Sequence, residues 1–269
     1  MSSAALRDGV LAVPVVDISS FRMPYADAAA RSEVVRQVDQ AARTVGFLQV
    51  TGHGIAPSAR ADLTGAMDAF FALAPHFEAL DVGLRGAGQP GLDLPAEVCA
   101  ASLGPAAEIP GFETAVTAWL LAAGAVARTM VRIFGVALGG REDYFAAADD
   151  SIGVLRMHNG RPPGPGTPLE PGRLGLGARA GHGIVTALWA HPVPGLEIRG
   201  ADGRWHPVRP ADGALLVGLG DAIARWANRE WVSALHRVAP PRGNGTPAPI
   251  RSAAYFHCAS SDRCGQTLL

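Results

Sequence analysis

The sequence predicts an α+β fold in which N-terminal helices pack around a β-sheet core formed by the C-terminal half of the chain. Residues 26–45, 58–73 and 111–138 each predict a helix, because apolar side chains recur there at helical spacing or form one long apolar stretch. From residue 183 onward, short apolar runs alternate with turns that contain Gly and Asp. Many short strands separated by regular turns are typical of a barrel or jelly roll.

The individual strands follow from short apolar runs bounded by turn residues. Residues 13–18 predict the first strand, and residues 46–50 predict a second one that ends in a turn at 51–54. Two stretches rich in Gly and Pro, 78–110 and 161–177, carry no element that the pattern predicts. In the C-terminal half, the expected strands are residues 184–189, 196–199, 205–208, 214–219, 234–238 and 251–256.

Length and composition predict a single domain over residues 1–269. A chain of 269 residues with 48% hydrophobic content can bury a large core. Within this domain we expect an N-terminal helical and mixed region at 13–150, the jelly-roll core at 151–258 and a tail at 259–269. The three cysteines, an odd number at wide spacing, argue against a disulfide framework.

The charge pattern argues against several classes of partner. The formal net charge is −1 at pH 7, so neither nucleic acid nor a membrane is expected as a partner. The apolar stretch 115–138 contains Arg128 and Arg132, which favours a buried core helix over a membrane span. Residues 1–10 lack the basic-then-apolar order of a signal peptide. The sequence therefore predicts a cytoplasmic protein that acts on a small molecule.

Several segments in order resemble one known family. Residues 177–186 read Gly-Ala-Arg-Ala-Gly-His-Gly-Ile-Val-Thr and resemble the metal-binding segment of the isopenicillin-N-synthase-like 2-oxoglutarate/iron(II) oxygenase family, which usually reads Gly-Ala-His-Thr-Asp-Tyr-Gly-Thr-Leu-Thr. The runs 194–208 and 213–221 are similar to a hairpin and a strand of the same family. The resemblance covers about residues 13–258, and it implies a double-stranded β-helix, or jelly-roll, core.

The resemblance also implies where a site would lie, and it implies that the site is degenerate. The family's first two iron ligands fall on Arg179 and Gly181, and its third falls on His236. The arginine that binds the co-substrate carboxylate in the family falls on Arg251, while the serine two residues later is replaced by Ala253. Because non-haem iron needs two histidines and a carboxylate, no metal is expected here; if one is bound, His236 is its ligand.

Strand alternation extends this set of residues. If Arg251 faces inward, then Tyr255 and His257 share its face, because alternate side chains of a strand point the same way. By the same rule His182 should point away from the cavity, whereas His158 lies on a neighbouring segment and can reach it. We therefore predict catalytic roles for His236, Arg179 and Tyr255, and substrate-binding roles for Arg251, His158 and His257.

Four other histidines lie in predicted turns or loops, and their side chains are expected to be solvated. They are His53, His76, His191 and His206.

Two arginines and a histidine without iron predict a metal-independent, redox-neutral tailoring enzyme. Guanidinium groups bind carboxylates bidentately, and His236 can act as a general acid or base near neutral pH. The expected reaction is cyclisation, dehydration or isomerisation of an acidic or enolic natural-product intermediate, with no cofactor. One alternative is an iron/2-oxoglutarate oxygenase with a rearranged metal site, which would use Fe(II) and 2-oxoglutarate. The other is a non-catalytic partner subunit. Assembly as a homodimer, or as a heterodimer with an active homologue, stays open.

Overall fold

The structure is a computed structural model, in which the described part of the chain covers most of the two regions predicted above. The described residues are 6–7, 10–74, 79–83, 106, 108–145, 152–160, 181, 183–190, 195–238 and 250–258. Four helices lie in this part of the chain: α1 (Ala28–Thr44), α2 (Pro57–Leu73), α3 (Phe112–Ala137) and α4 (Asp221–Trp226).

The ends of the first two helices follow from local sequence. The Asp27 side chain accepts a hydrogen bond from the backbone N–H of Ala29 and caps α1. That helix is closed at Gly46, whose φ of 71° is in the left-handed region. No other residue fits there, since a β-carbon on Gly46 would lie 2.2 Å from the carbonyl oxygen of Val232. Pro57 begins α2, where its missing N–H costs no hydrogen bond.

The strands form one large sheet, one small sheet and a short N-terminal hairpin. The large sheet has seven strands in the order β3-β4-β10-β7-β12-β6-β5, the small sheet has the order β11-β8-β9, and β1 pairs with β2. Their bounds are β1 (Leu6–Arg7), β2 (Val10–Leu11), β3 (Val15–Asp17), β4 (Phe47–Thr51), β5 (Ala79–Gly83), β6 (Ile152–Gly160), β7 (Val185–Ala190), β8 (Leu196–Arg199), β9 (Trp205–Pro207), β10 (Leu215–Leu219), β11 (His236–Val238) and β12 (Ile250–Cys258).

Two apolar clusters hold these layers together, and they confirm the predicted α+β jelly-roll arrangement. The larger cluster lies between helices α1, α2 and α3 and one face of the large sheet, with residues such as Phe134, Leu155 and Tyr255. The smaller cluster joins the other face of the large sheet, through Phe47 and Leu216, to the small sheet. The large sheet is therefore covered on both faces.

Helix α3 is the central helix of the larger cluster. It is long and apolar enough to cross a membrane by length and composition alone, but most of its apolar window is buried inside the protein. It packs against α1, α2 and the strands β6, β7 and β12. This agrees with the prediction of a core helix.

Cys258 departs from the prediction made for the cysteines. It is disulfide-bonded, and its partner lies outside the described residues. The count and spacing of the cysteines argue against a disulfide framework, but they do not report on the three-dimensional proximity of two cysteines.

The packing of α3 gives a test of this fold. Phe134 is fully buried and meets the Trp231 ring edge-on at a centroid distance of 5.4 Å. We expect Phe134→Ala to lower the free energy of unfolding by about 3–5 kcal/mol, because it leaves a cavity in the core. Leu121→Ala on the same helix is the control, since Leu121 is 54% exposed and its loss should change stability by no more than ~0.5 kcal/mol. Urea denaturation measures both, and equal effects would contradict this packing of α3.

Candidate functional site

The two faces of the large sheet decide which predicted site residues can meet. The register of β12 places Ala254 opposite both Leu188 and Arg156, and Ser252 opposite His158. Leu188 packs against the smaller apolar cluster, so the side chains in its row point toward the small sheet. We call this the inner face. Its described residues include Arg156, His158, Thr186, Leu188, Ser252, Ala254 and Phe256.

Arg251 lies on the opposite, outer face, which packs against the helices. Its Nε donates to Asp68 of α2 at 2.8 Å, and its Nη1 donates to Asn159 on the neighbouring strand. The guanidinium carbon lies 5.1 Å from the centre of the Phe71 ring, and the residue is only 8% exposed. Arg251 therefore ties α2 to the sheet. The expectation that it faces the interior of the jelly roll does not hold in this structure.

Tyr255 and His257 share the outer face with Arg251, as strand alternation requires. A β-carbon added to Gly124 of α3 would lie 3.0 Å from the Tyr255 hydroxyl oxygen, so the phenol packs directly on that helix. His257 is fully buried. Burial, and then the charge of Arg128, lower the pKa of His257 to about 4, while burial raises the pKa of Tyr255. Both side chains lie between sheet and helix, away from the inner face.

His236 lies on the small sheet, which faces the inner face of the large sheet. It is opposite Ile198 in β8, and its ring meets Phe47 edge-on at a centroid distance of 5.3 Å. Phe47 lies opposite Gly218, and Gly218 lies opposite Thr186, so these three residues form one row across the large sheet. The Nδ1 atom is 3.3 Å from the Ala234 carbonyl oxygen, a distance at which a hydrogen on Nδ1 can be donated to that oxygen.

The predicted site residues therefore divide into separate groups. His236 on the small sheet and His158 on the inner face of the large sheet face each other between the two sheets. Arg251, Tyr255 and His257 lie on the outer face of the large sheet. Arg179 and His182 lie outside the described residues. The predicted roles of all these residues stay predictions. The structure changes only the face of the large sheet on which Arg251, Tyr255 and His257 lie.

Two of the histidines expected to be solvated are buried instead. His53 Nε2 lies 2.8 Å from the Gly213 carbonyl oxygen, and its Nδ1 accepts the backbone N–H of Ile55. Burial lowers the pKa of His53. His206 is held by the Asp202 carboxylate at 3.0 Å. His53 is buried because its ring binds the backbone at Gly213 and Ile55, whereas His206 lies in strand β9 and its ring binds Asp202 in the preceding turn. His76 and His191 lie outside the described residues.

Sequence reasoning missed polar residues of the inner face, chiefly Arg156, Thr186 and Ser252. The signal that would have found them is strand parity. Once Arg251 is placed on the outer face, Ser252 must face inward, together with the residues opposite it.

Two family models and one relative identify the family of this chain. The model for the non-haem dioxygenase in morphine synthesis N-terminal region matches residues 13–76, and that for the 2OG-Fe(II) oxygenase superfamily matches residues 152–259. Gibberellin 20 oxidase 1 of Oryza sativa subsp. japonica is 30% identical over 270 residues, which cover 87% of this chain and 69% of that protein. The chain belongs to the 2-oxoglutarate/iron(II) oxygenase family.

One further relative and one solved structure also match most of the chain. The 2-oxoglutarate-Fe(II) type oxidoreductase hxnY of Emericella nidulans is 27% identical, over 84% of this chain and 75% of that protein. Among solved structures, a full-length Neurospora crassa protein in complex with alpha-KG and thymine has a TM-score of 0.78 at 20% identity. The match covers 96% of this chain and 89% of the Neurospora crassa chain, and it confirms the double-stranded β-helix fold.

Membership of this oxygenase family corrects two predictions. The prediction of a metal-independent, redox-neutral cyclase or isomerase is wrong, because the relatives are named as oxidases and as a 2-oxoglutarate-Fe(II) oxidoreductase. The prediction that no cofactor is used is wrong for the same reason, and the Neurospora crassa structure holds alpha-KG. Retention of an arginine and a histidine therefore does not by itself indicate redox-neutral chemistry, because the matched relatives are named for oxidation.

The described residues nevertheless do not fit the family's iron-ligand set. Of the three positions at which the resemblance places iron ligands, the structure describes Gly181 and His236, and only His236 has a side chain that can bind a metal. In the described part of the chain no three His, Cys, Asp or Glu residues come together as a metal-binding group. No catalytic step through iron is therefore derived from these residues.

Position 181, where the resemblance places a family carboxylate, has no space for a side chain in this structure. Gly181 forms a parallel bridge with Gly220 and accepts a hydrogen bond from the backbone N–H of Asp221 at 2.9 Å. A β-carbon on Gly181 would lie 2.5 Å from the carbonyl oxygen of Leu219, closer than real β-carbons come. Any side chain there requires the backbone of one of the two segments to move.

Substitution of Gly181 tests this close approach. We expect Gly181→Ala to lower the free energy of unfolding by about 1–3 kcal/mol, because it overpacks backbone against backbone. Gly181→Asp, which restores the family's residue, should cost at least as much. Gly65→Ala is the control: Gly65 is in helix α2 with open space around its β-carbon position, so alanine should stabilise the protein by about 0.5–1 kcal/mol. A stable Gly181→Ala variant in urea denaturation would contradict the close approach.

Burial of His257 predicts a stability that falls in acid. Its pKa is about 4 in the folded protein against the ordinary 6.5, so between these values the unfolded chain binds the proton and the folded one does not. Stability from this group is complete above pH 6.5 and is lost as the pH falls toward 4. We expect a loss of about 2 kcal/mol between pH 7 and pH 5. His257→Gln, which does not titrate, should lack this component of the pH dependence; identical pH profiles of urea denaturation would show that His257 is not the group responsible.

Proposed function

We propose that this chain is an enzyme that oxidises a small organic molecule with Fe(II) and 2-oxoglutarate, through a metal site that differs from the family's. The observation that carries the proposal is the match over nearly the full chain to named oxidases, 30% identical in gibberellin 20 oxidase 1. The hxnY relative is named for the same cofactors, and the Neurospora crassa protein is solved with alpha-KG and a small heterocycle, thymine.

His236 is the residue of this chain that supports a metal in such a site. A hydrogen on its Nδ1 can be donated to the Ala234 carbonyl, and the tautomer with that hydrogen offers Nε2 as a ligand atom. One imidazole cannot hold iron(II) alone, so a second ligand must come from elsewhere in the chain. His182 is the histidine of the metal-binding segment itself. Strand alternation directs it away from the cavity, so we propose it as that second ligand with a β-bulge that turns its side chain inward.

One observation favours a second candidate function, a non-catalytic member that pairs with an active homologue. The carbonyl oxygen of Leu219 occupies the space that a carboxylate at position 181 would need. A subunit that performs no chemistry needs no ligands of its own, and two apolar clusters hold the described elements of this chain together. Such a subunit would show no turnover alone.

Several further properties stay proposals. We propose a small-molecule substrate, a cytoplasmic location, no nucleic-acid or membrane partner, and assembly as a homodimer or with a homologue.

Iron binding tests the proposed function directly. We expect the metal-free protein to take up about one equivalent of Fe(II) per chain under anaerobic conditions in the presence of 2-oxoglutarate, and to release succinate once oxygen is admitted. His236→Ala and His182→Ala should each weaken iron binding at least tenfold, since each removes an imidazole ligand. Iron content is measured by mass spectrometry and succinate by chromatography.

The control is His206→Ala, which removes a different imidazole from the small sheet, one held by Asp202. It should bind iron like the wild type once circular dichroism shows that it is folded. Absence of iron uptake and of succinate in the wild type would overturn the proposal. A stable complex with a family member from the same cell, with turnover only in the complex, would then establish the second candidate.

A further inference from the structure

The inner face of the large sheet carries an ion pair that the predicted site did not include. Arg156 on β6 lies opposite Asp81 on β5. Its sequence neighbours Leu155 and Met157 are buried in the helix-side cluster, so Arg156 points the other way, to the inner face. Asp81 does the same, because Leu80 and Val82 pack on the helix side. Among the described strand residues of the large sheet, Arg156 is the arginine on this face.

The pair is held in one orientation and keeps part of its surface accessible. Arg156 Nε donates to one carboxylate oxygen of Asp81 at 2.6 Å, and Nη2 donates to the other. This two-point contact fixes the plane of the guanidinium and directs the Nη1 N–H groups away from Asp81. The Arg156 side chain is 34% exposed and that of Asp81 is 13% exposed. The hydrogen bond from Arg156 to Asp81 raises the pKa of Arg156, so the guanidinium stays charged.

Other polar groups stand along the same face. Ser252 lies opposite His158 on the strand beside Arg156. The Thr186 hydroxyl is buried without a hydrogen-bond partner among the described residues, although buried hydroxyls nearly always have one. Apolar side chains of Leu188, Ala254 and Phe256 separate these polar groups. A mainly apolar wall with a few fixed polar groups is typical of a small-molecule site.

The charge of the pair decides which ligand group fits it. Asp81 already neutralises Arg156, so a carboxylate at Nη1 would bring an extra negative charge that has no positive partner, and desolvating such a charge is costly. A neutral carbonyl oxygen can accept from Nη1 at no such cost. An N–H group beside that carbonyl can donate to a remaining lone pair of Asp81.

We propose that Arg156 and Asp81 bind a neutral carbonyl group of the substrate, such as that of an amide, lactam or imide, on the inner face. The inference deepens the proposed function, on which it rests for the existence of a small-molecule substrate, and it names the substrate's chemical class. Arg156 is the donor to the carbonyl oxygen, and Asp81 both orients the guanidinium and sets the pair's net charge to zero.

The matched probes are benzamide and benzoate, which share size and shape and differ in charge. Their binding is measured by ligand-observed saturation-transfer NMR on metal-free protein without 2-oxoglutarate. We expect the wild type to bind benzamide in preference to benzoate. Arg156→Met should weaken benzamide binding about tenfold or more. Asp81→Asn should reverse the preference in favour of benzoate, because it leaves the guanidinium charge uncompensated.

The controls are Arg237→Met and Glu197→Gln, which break a similar strand-to-strand ion pair on the small sheet and should leave both affinities at the wild-type value. If Arg156→Met does not fold, Arg156→Lys keeps the charge and loses the two-point geometry, and it should weaken benzamide binding in the same direction. Preference of the wild type for benzoate, no binding of either probe, or an unchanged benzamide affinity in the Arg156 variant would overturn the inference. Because no metal is present, these results are independent of iron uptake and succinate release.

Discussion

The register of β12 is the constraint on which the rest of the site depends. This strand is hydrogen-bonded on both sides, to β7 and to β6, with Tyr255 opposite Ala187 and Leu155. A strand paired on both sides cannot slip, because a shift by one residue would move every buried side chain to the other face. The register therefore assigns Arg251, Tyr255 and His257 to the helix layer and Ser252 to the interior in a single step.

The same constraint separates stability from chemistry in this chain. The outer face of β12 is fully engaged with the helices, through the Arg251–Asp68 ion pair and the packing of Tyr255 against Gly124. These contacts hold helices α2 and α3 to the sheet whether or not the interior contains a metal. Neither of these two contacts involves Gly181, where the resemblance places a family ligand.

Much of the fold was accessible from the sequence, because periodicity reports directly on burial. The helix predicted at 111–138 is α3 to within a residue or so at each end, and the strand predicted at 184–189 is β7 displaced by one residue. Strand β5 was not predicted. Its five residues lie in a stretch rich in Gly and Pro, and they are a strand because they pair with β6 along the edge of the sheet, an interaction between residues more than seventy positions apart.

The site could be predicted less well from the sequence, because its prediction depends on the orientation of one side chain, that of Arg251. Side chains do alternate along β12, but the prediction starts from an inward-facing Arg251, whereas Arg251 faces the helices. Nothing in the local pattern distinguishes the two parities, since Arg251 and Ser252 are both polar and the residues that follow are mostly apolar on either face. The deciding contact is Asp68, 183 residues away in sequence. Only the tertiary structure brings it next to Arg251.

The two sheet arginines show why this parity matters for chemistry. Each is held by an aspartate. Arg251 binds Asp68 on the outer face of the large sheet, and Arg156 binds Asp81 on the inner face. Two free guanidiniums in one cavity would attract an anion, and that expectation led to an acidic substrate. The structure instead offers the described inner face one guanidinium whose charge is already balanced, so its remaining N–H groups act as hydrogen-bond donors more than as a positive charge. Selection for a neutral ligand follows from that balance, because an unbalanced third charge loses more in desolvation than the extra hydrogen bond returns.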